Sequence, residues 1–259
     1  MRPRGGLMSS VDDIGYGRQF GDFYDRIFPS GAYTEPTVRK LASLHPSPGE
    51  RALELGVGTG RVAIPLAQRA FPVTGVDSSP EMLEQLSAKA KEADADVEAV
   101  HGDIRKYTDD AQYQLVYCIC ATFSMILDAD DQRATMQAAA DRLAPGGLLV
   151  VETSNPGGLR VLHEGQQRTS YFIPYPEPNT GLLTYSTVFE DRSLWHASHI
   201  WFEDGKSSVG SELARLTTPE EVDEYAAAAG LKPVDRWADW KDTPYAEDSP
   251  MFVSTYTTR

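Results

Sequence analysis

The sequence predicts an α/β protein: a seven-stranded, mostly parallel sheet with helices on both faces, plus an antiparallel β-ribbon insertion. Three observations carry this. Between residues 51 and 152, short apolar runs alternate with helix-length amphipathic segments, the pattern of consecutive βα units. One of those runs, "LELGVGTGRVAIPLA" at 53–67, passes through three alternating glycines into a helix. After residue 155 the chain changes texture and becomes rich in Thr, Tyr, Val, Ile, Trp and Phe, residues that favour strands.

The elements follow in order. Residues 1–15 read as a flexible tail and 16–48 as an N-terminal helical lid. In that lid "YGRQFGDFYDRIF" sets Tyr16, Phe20, Phe23, Tyr24 and Ile27 near one helical face, which either packs on the core or covers a ligand. Residues 49–154 form the core. "RALELG" is its first strand and "GRVAIPLAQRA" its first helix. "PVTGVD" is the second strand, followed by the helix "SPEMLEQLSAKAKEA" with Ser79 as N-cap and Pro80 at the first helical position. "DVEAVHGD" and "YQLVYCIC" are the third and fourth strands. The helix "ADDQRATMQAAADRL" stops at "APGG", and "LLVVET" is the fifth strand. Residues 155–216 are the ribbon, with strands in 182–190, 194–203 and 207–216 and "EDGK" as a turn. Residues 217–259 supply the helix "TPEEVDEYAAAAG" and two last strands, "LKPVDRWADW" and "MFVSTYTT". One domain accounts for the whole.

Composition narrows the function. At 259 residues the chain can bury a good core, and its 41% hydrophobic and 24% charged residues are ordinary for a globular protein. A net charge of −14 without any basic run argues against nucleic acid, whose binding needs a cationic footprint, and for a small-molecule partner. No window approaches the roughly 18 apolar residues of a membrane span, and the basic "MRPRGGLMSS" has no apolar stretch behind it, so no secretory signal is expected. Cys118 and Cys120, two apart on a strand, share a face and read as packing residues. With no metal-ligand spacing, they suit a reducing cytoplasm. A homodimer is compatible with all of this.

The glycines decide which ligand. A nicotinamide-type turn needs G-x-G-x-x-G, but the chain has Gly56, Gly58 and Gly60 followed by Arg61. A P-loop would need Gly-Lys-Ser/Thr, which is absent. With E-x-G-x-G-x-G at 54–60, the chain resembles the class I S-adenosylmethionine-dependent methyltransferases, clearly over 50–152 and more loosely elsewhere. The resemblance implies a Rossmann-like sheet whose final strand runs antiparallel, with S-adenosylmethionine as cofactor at the carboxyl ends of the strands. It implies that the Gly56–Gly58–Gly60 turn and Glu54 receive the methionine part, where a Cβ would collide or forbid the φ. Asp77, ending "VTGVD", would accept both ribose hydroxyls. Asp103 in "HGDI" would take the adenine amino group, with Ile104 and Met82 on the two ring faces. Tyr24, Ser78, Gly102 and Cys120 complete the implied cofactor set.

For the acceptor the resemblance points to the N-terminal helix, the loop after strand four and the ribbon, hence Tyr16, Phe20, Phe123, Trp195 and Trp201. That loop, "ATFSMIL", lacks the Asn/Asp-Pro-Pro-Tyr/Phe tetrad of nucleic-acid and glutamine amino-methylating members. The N-terminal half and the closing segment look like actinobacterial small-molecule methyltransferases, including those acting on amino sugars and other secondary metabolites. His163, His196 and His199 are the candidate bases. His199 shares its strand side with Trp195 and Trp201 and is the candidate catalytic residue; that aromatic side either lines a pocket or packs on the sheet, in which case the histidine is structural. Two rivals remain open: a cyclase or a binding or regulatory module on the same scaffold, and a nucleotide-sugar or NAD oxidoreductase, which Arg61 disfavours.

Overall fold

Two short helices, α1 (Tyr16–Phe20) and α2 (Tyr24–Ile27), precede α3 (Glu35–Leu44) in the computed structural model, which describes residues 15–21 and 23–258. The tail expected over 1–15 lies outside the described residues except for Gly15. The parallel part follows as β1 (Ala52–Leu55), α4 (Ala63–Ala67), β2 (Val73–Asp77), α5 (Pro80–Glu92), β3 (Val97–His101), β4 (Tyr113–Cys118), α6 (Ala129–Asp141) and β5 (Leu143–Ser154). Next come α7 (Pro156–His163) and four strands, β6 (Arg168–Pro174), β7 (Gly181–Phe189), β8 (Leu194–Glu203) and β9 (Lys206–Arg215). α8 (Pro219–Ala228), β10 (Leu231–Trp237) and β11 (Met251–Thr258) close the chain.

The main sheet has seven strands in the order β10-β11-β5-β4-β1-β2-β3. β1 pairs in parallel with both β2 and β4, and β11 runs antiparallel between β5 and β10. β6 to β9 form a separate antiparallel sheet in chain order. The expected fold class is what the chain adopts.

Alternation along the central strands feeds two cores. Leu53, Leu55, Val116 and Phe252 face α6 and α8 with Met136, Val222 and Tyr225. Ala52, Leu115, Tyr117 and Val253 face the other way, onto Val38 of α3, Leu66 of α4 and Leu86 of α5. The helices begin where their caps predict. The Ser79 hydroxyl accepts from Met82 N at 3.3 Å to start α5. Thr218 and Glu221 form a reciprocal capping box on α8.

Two parts differ from the sequence expectation. The apolar N-terminal stretch is two helices rather than one, the first ending at Phe20 and the second beginning at Tyr24, with Phe20, Phe23 and Ile27 still gathered into one cluster with Leu182 and Trp201. The ribbon gains a fourth strand, β6, and is preceded by α7, which occupies the first part of the segment expected to be ribbon. β6 was missed because its residues are mostly exposed and carry little apolar alternation.

α1 is wedged between the two sheets. A Cβ on Gly17 would stand 2.0 Å from Ser79 Oγ, at the start of α5. A Cβ on Gly210 of β9 would stand 2.5 Å from Phe20 Cζ. Only glycine permits either contact. Gly210→Val is therefore expected to lift α1 off the small sheet while leaving the main sheet intact. Hydrogen exchange at 15–28 should speed up by tenfold or more, at about 1.4 kcal/mol per decade, with β1, β4 and β5 unchanged; unaltered protection of α1 would contradict the wedge.

Candidate functional site

β1 ends at Leu55, and the chain turns through Gly56 and Gly58 with φ of 83° and 55°. A Cβ on Gly56 would meet Thr122 Cγ2 at 2.3 Å, so the turn can approach the loop after β4 only as glycine. A Cβ on Gly58 would meet nothing within 4 Å and would stand in open space. Asp77, at the end of β2, ties the turn to the next helix. Its Oδ2 accepts from Gly58 N at 2.8 Å and its Oδ1 from Ser79 N at 2.9 Å.

Over these strand ends lies a cavity of about 710 Å³, within the range of roughly 300–1,000 Å³ usual for ligand sites. Sequence-predicted residues reach it from five places. The end of β1 and its turn bring Glu54, Gly56 and Gly58; the junction of β2 with α5 brings Asp77, Ser78 and Met82. Beyond β3 come Gly102, Asp103 and Ile104, and beyond β4 Cys120. Tyr16 and Tyr24 reach it from α1 and α2.

Six others do not line it. Gly60 packs against α5 instead, where a Cβ would stand 2.2 Å from Leu86 Cδ1. Phe123 belongs to the core beneath α6 and α8. Phe20 and Trp201 are buried together in the α1 cluster, and Trp195 packs on Val188 and Leu216. His199 is buried with them, because the β8 face that carries Trp195, His199 and Trp201 is the packed face of the small sheet. His196, which points the other way, lines the cavity. His163 is buried between Gln166 O and Ser186 Oγ, at 3.1 and 2.7 Å. A pattern of alternation reveals that two faces exist but not which one meets a ligand.

Sequence reasoning also passed over Arg61, Thr122 and Glu212, all in the cavity wall. Arg61 had a signal, since it follows the glycine turn directly. Its Nη2 donates to Cys120 Sγ at 2.8 Å, and Tyr24 is a second partner.

The floor is electrostatically unusual. Burial pushes Glu54 up to about 8, with Asp77 adding, although Tyr117 donates to its Oε2 at 3.0 Å. Burial likewise raises Glu152 to about 7 and the Cys120 thiol to about 12. Glu152 Oε2 accepts from Cys120 N at 2.5 Å, holding a left-handed pair, Cys120 and Ala121, with φ of 58° and 59°. Asp103 moves the other way. Burial opposes its charge, but Arg105 outweighs that through its backbone N, Nε and Nη2 at 3.0, 2.9 and 2.8 Å. Among the described residues no group of three or more His, Cys, Asp or Glu could hold a metal ion.

Comparison with known proteins agrees with this architecture. Residues 52–147 match the family model described as a methyltransferase domain. The chain is 31% identical to the CcbJ methyltransferase from Streptomyces caelestis, covering 95% of this chain and 99% of that one, with a TM-score of 0.85. The chain belongs to the S-adenosylmethionine-dependent methyltransferases. It is also 28% identical over 214 residues to a cypemycin N-terminal methyltransferase of a Streptomyces species, covering 82% of this chain and 84% of that one. A glycine/sarcosine N-methyltransferase of Aphanothece halophytica is 28% identical over 213 residues, 78% of this chain and 74% of its own.

S-adenosylmethionine is the methyltransferase's cofactor, and the cavity suits it. The Gly58 side of the turn is open where a Cβ would stand, and Asp77, Asp103 and Glu54 supply acceptors for hydroxyl and amino groups. Asp77→Ala is expected to weaken S-adenosylmethionine binding by about 2–4 kcal/mol, the loss of charge-assisted bonds. Calorimetry should read this while circular dichroism shows the fold retained.

A second expectation concerns pH. A carboxyl whose folded pKa lies above its unfolded value binds more protons when folded, so it costs stability as pH rises. For Glu54 that window runs from about 4.5 to about 8. Glu54→Gln should flatten the fall in melting temperature of the cofactor-free protein between these pH values. Parallel curves for the variant and wild type would mean Glu54 is charged when buried.

Proposed function

We propose that this methyltransferase transfers a methyl group from S-adenosylmethionine to a nitrogen of a small-molecule metabolite of the natural-product type, in the cytoplasm. The observation that carries the reading is the cavity's two unlike ends. One end holds the glycine turn, Asp77 and Asp103. The other is walled by Tyr16, His196, Ser211 and Glu212, beneath α1 and the edge strand β9. Its two arginines are engaged, Arg105 with Asp103 and Asp131, and Arg61 with Cys120 and Tyr24. Such a wall suits a small neutral or cationic acceptor and repels phosphate. Among the described residues no helix is long and apolar enough to cross a membrane. The glycine/sarcosine relative carries N-methyltransferase in its name, which supports nitrogen as the atom methylated.

In this reading Asp77 holds the ribose diol and Asp103, shared with Arg105, the adenine amino group. Ile104 and Met82 pack on the ring faces. Glu54, Gly56, Gly58, Tyr24 and Cys120 surround the methionine part, and Ser78 and Gly102 shape the ribose and adenine walls. When bound, S-adenosylmethionine supplies a methyl group on a positively charged sulfur that leaves as a neutral thioether. The chain's task is to hold the acceptor in line and keep water out, and alignment of this kind is worth up to roughly 7–11 kcal/mol. An amine nucleophile needs no buried base, which agrees with the enclosure of His163 and His199.

The test is an acceptor screen. Purified protein is incubated with S-adenosylmethionine and, separately, amino sugars, amino acids, catechols, transfer RNA and a protein lysate, and S-adenosylhomocysteine is counted. Turnover is expected with a small amine and with neither macromolecule; preferential methylation of RNA or protein would overturn the reading.

A further inference from the structure

β9 brings Glu212 to the cavity wall with its side chain only 14% exposed. Its Oε1 lies 3.2 Å from His199 Nε2, and on the far side of the imidazole Nδ1 lies 2.9 Å from Thr184 Oγ1. Both bonds are satisfied when the Thr184 hydroxyl donates to Nδ1 and the Nε2–H donates to the carboxylate, and in that tautomer the pair keeps its negative charge. His199 cannot swing away. It sits in a row across the small sheet, Tyr171, Thr184, His199 and Gly210, with Phe20 packed edge-on at 6.0 Å. Glu212 Oε2 has no hydrogen-bond partner among the described residues. The carboxylate also acts on the hydroxyl of Tyr16, which faces Tyr24, Cys120 and Arg61 as well.

We propose that Glu212 is the subsite for the acceptor nitrogen, a specificity-determining carboxylate, and that His199 is its positioning residue. The proposal rests on the small-amine reading above. As a neutral amine gives its lone pair to the methyl carbon, the carbon–sulfur pair stays with sulfur and positive charge moves onto nitrogen. A fixed carboxylate on the nitrogen side therefore gains strength along the reaction coordinate, the condition for stabilising the transition state rather than the ground state. The methylated product leaves as an ammonium ion.

A pair of cofactor analogues tests this without knowledge of the acceptor. Sinefungin and S-adenosylhomocysteine share the adenosine and amino-acid ends. Sinefungin replaces the sulfur by a carbon that carries a primary ammonium in the methyl's place, and S-adenosylhomocysteine has a neutral thioether there with no group in that place. Calorimetry at pH 7 and low salt is expected to find sinefungin bound about tenfold or more tightly by the wild type, the scale of one charge-assisted bond. Glu212→Gln should abolish that preference and leave S-adenosylhomocysteine affinity unchanged. His199→Phe should reduce it and His199→Gln, which still can donate to the carboxylate, should restore it; a purely structural histidine would shift both ligands together. An unchanged preference in Glu212→Gln, or equal loss of both ligands, overturns the subsite and leaves the methyltransferase reading standing. The acceptor screen decides that reading independently.

Discussion

The whole site depends on one wedge, α1, and α1 has no stability of its own. A helix of five residues cannot persist in water, because the cost of nucleation exceeds what so few bonds return. It holds its place because Gly17 lets it touch the start of α5 and Gly210 lets Phe20 bury itself under β9. Everything at the acceptor end follows from that. The wedge sets the distance between the strand ends that line the cavity and the small sheet. It delivers Tyr16 to the roof, and it packs the face of β8 on which His199 lies. The two sheets thus make one cavity through a helix that neither would retain alone.

Charge is arranged along the cavity as carefully as shape. A chain with a net charge of −14 could be expected to offer a uniformly acidic pocket. Instead burial raises Glu54, in the cavity wall, to about 8, and Glu152, behind Cys120, to about 7, so both carry less negative charge near neutral pH than ordinary carboxyls. The carboxylates tied by strong donors lie at the edges. Asp77 is held by two backbone amides and Asp103 by Arg105. Glu212 stands at the opposite wall with one histidine behind it.

The core of the fold was legible because it is written locally. Apolar runs of strand length, the Ser79 cap and the "APGG" stop are short-range signals, and the glycine turn, Asp77 and Asp103 all occur at strand ends that sequence spacing locates. Those residues do meet in one cavity. The α7–β6 stretch was not legible, since two consecutive glycines look like a loop and an exposed strand shows no alternation.

The acceptor side shows the limit most clearly. Sequence alone determined that His199 shares a face with Trp195 and Trp201, since that follows from the period of a strand. It could not determine whether that face meets ligand or protein. Tertiary packing made it the buried face, turned His196 toward the cavity, and put Glu212 of the neighbouring strand where a histidine was expected. Likewise Phe20 and Phe123 were recognisable as apolar anchors, but only the docking of α1 and α6 decided that they anchor cores rather than a ligand. The period of a strand is a property of the backbone and is fixed residue by residue. The choice of face is settled by long-range burial between segments almost two hundred residues apart, and no local pattern encodes it.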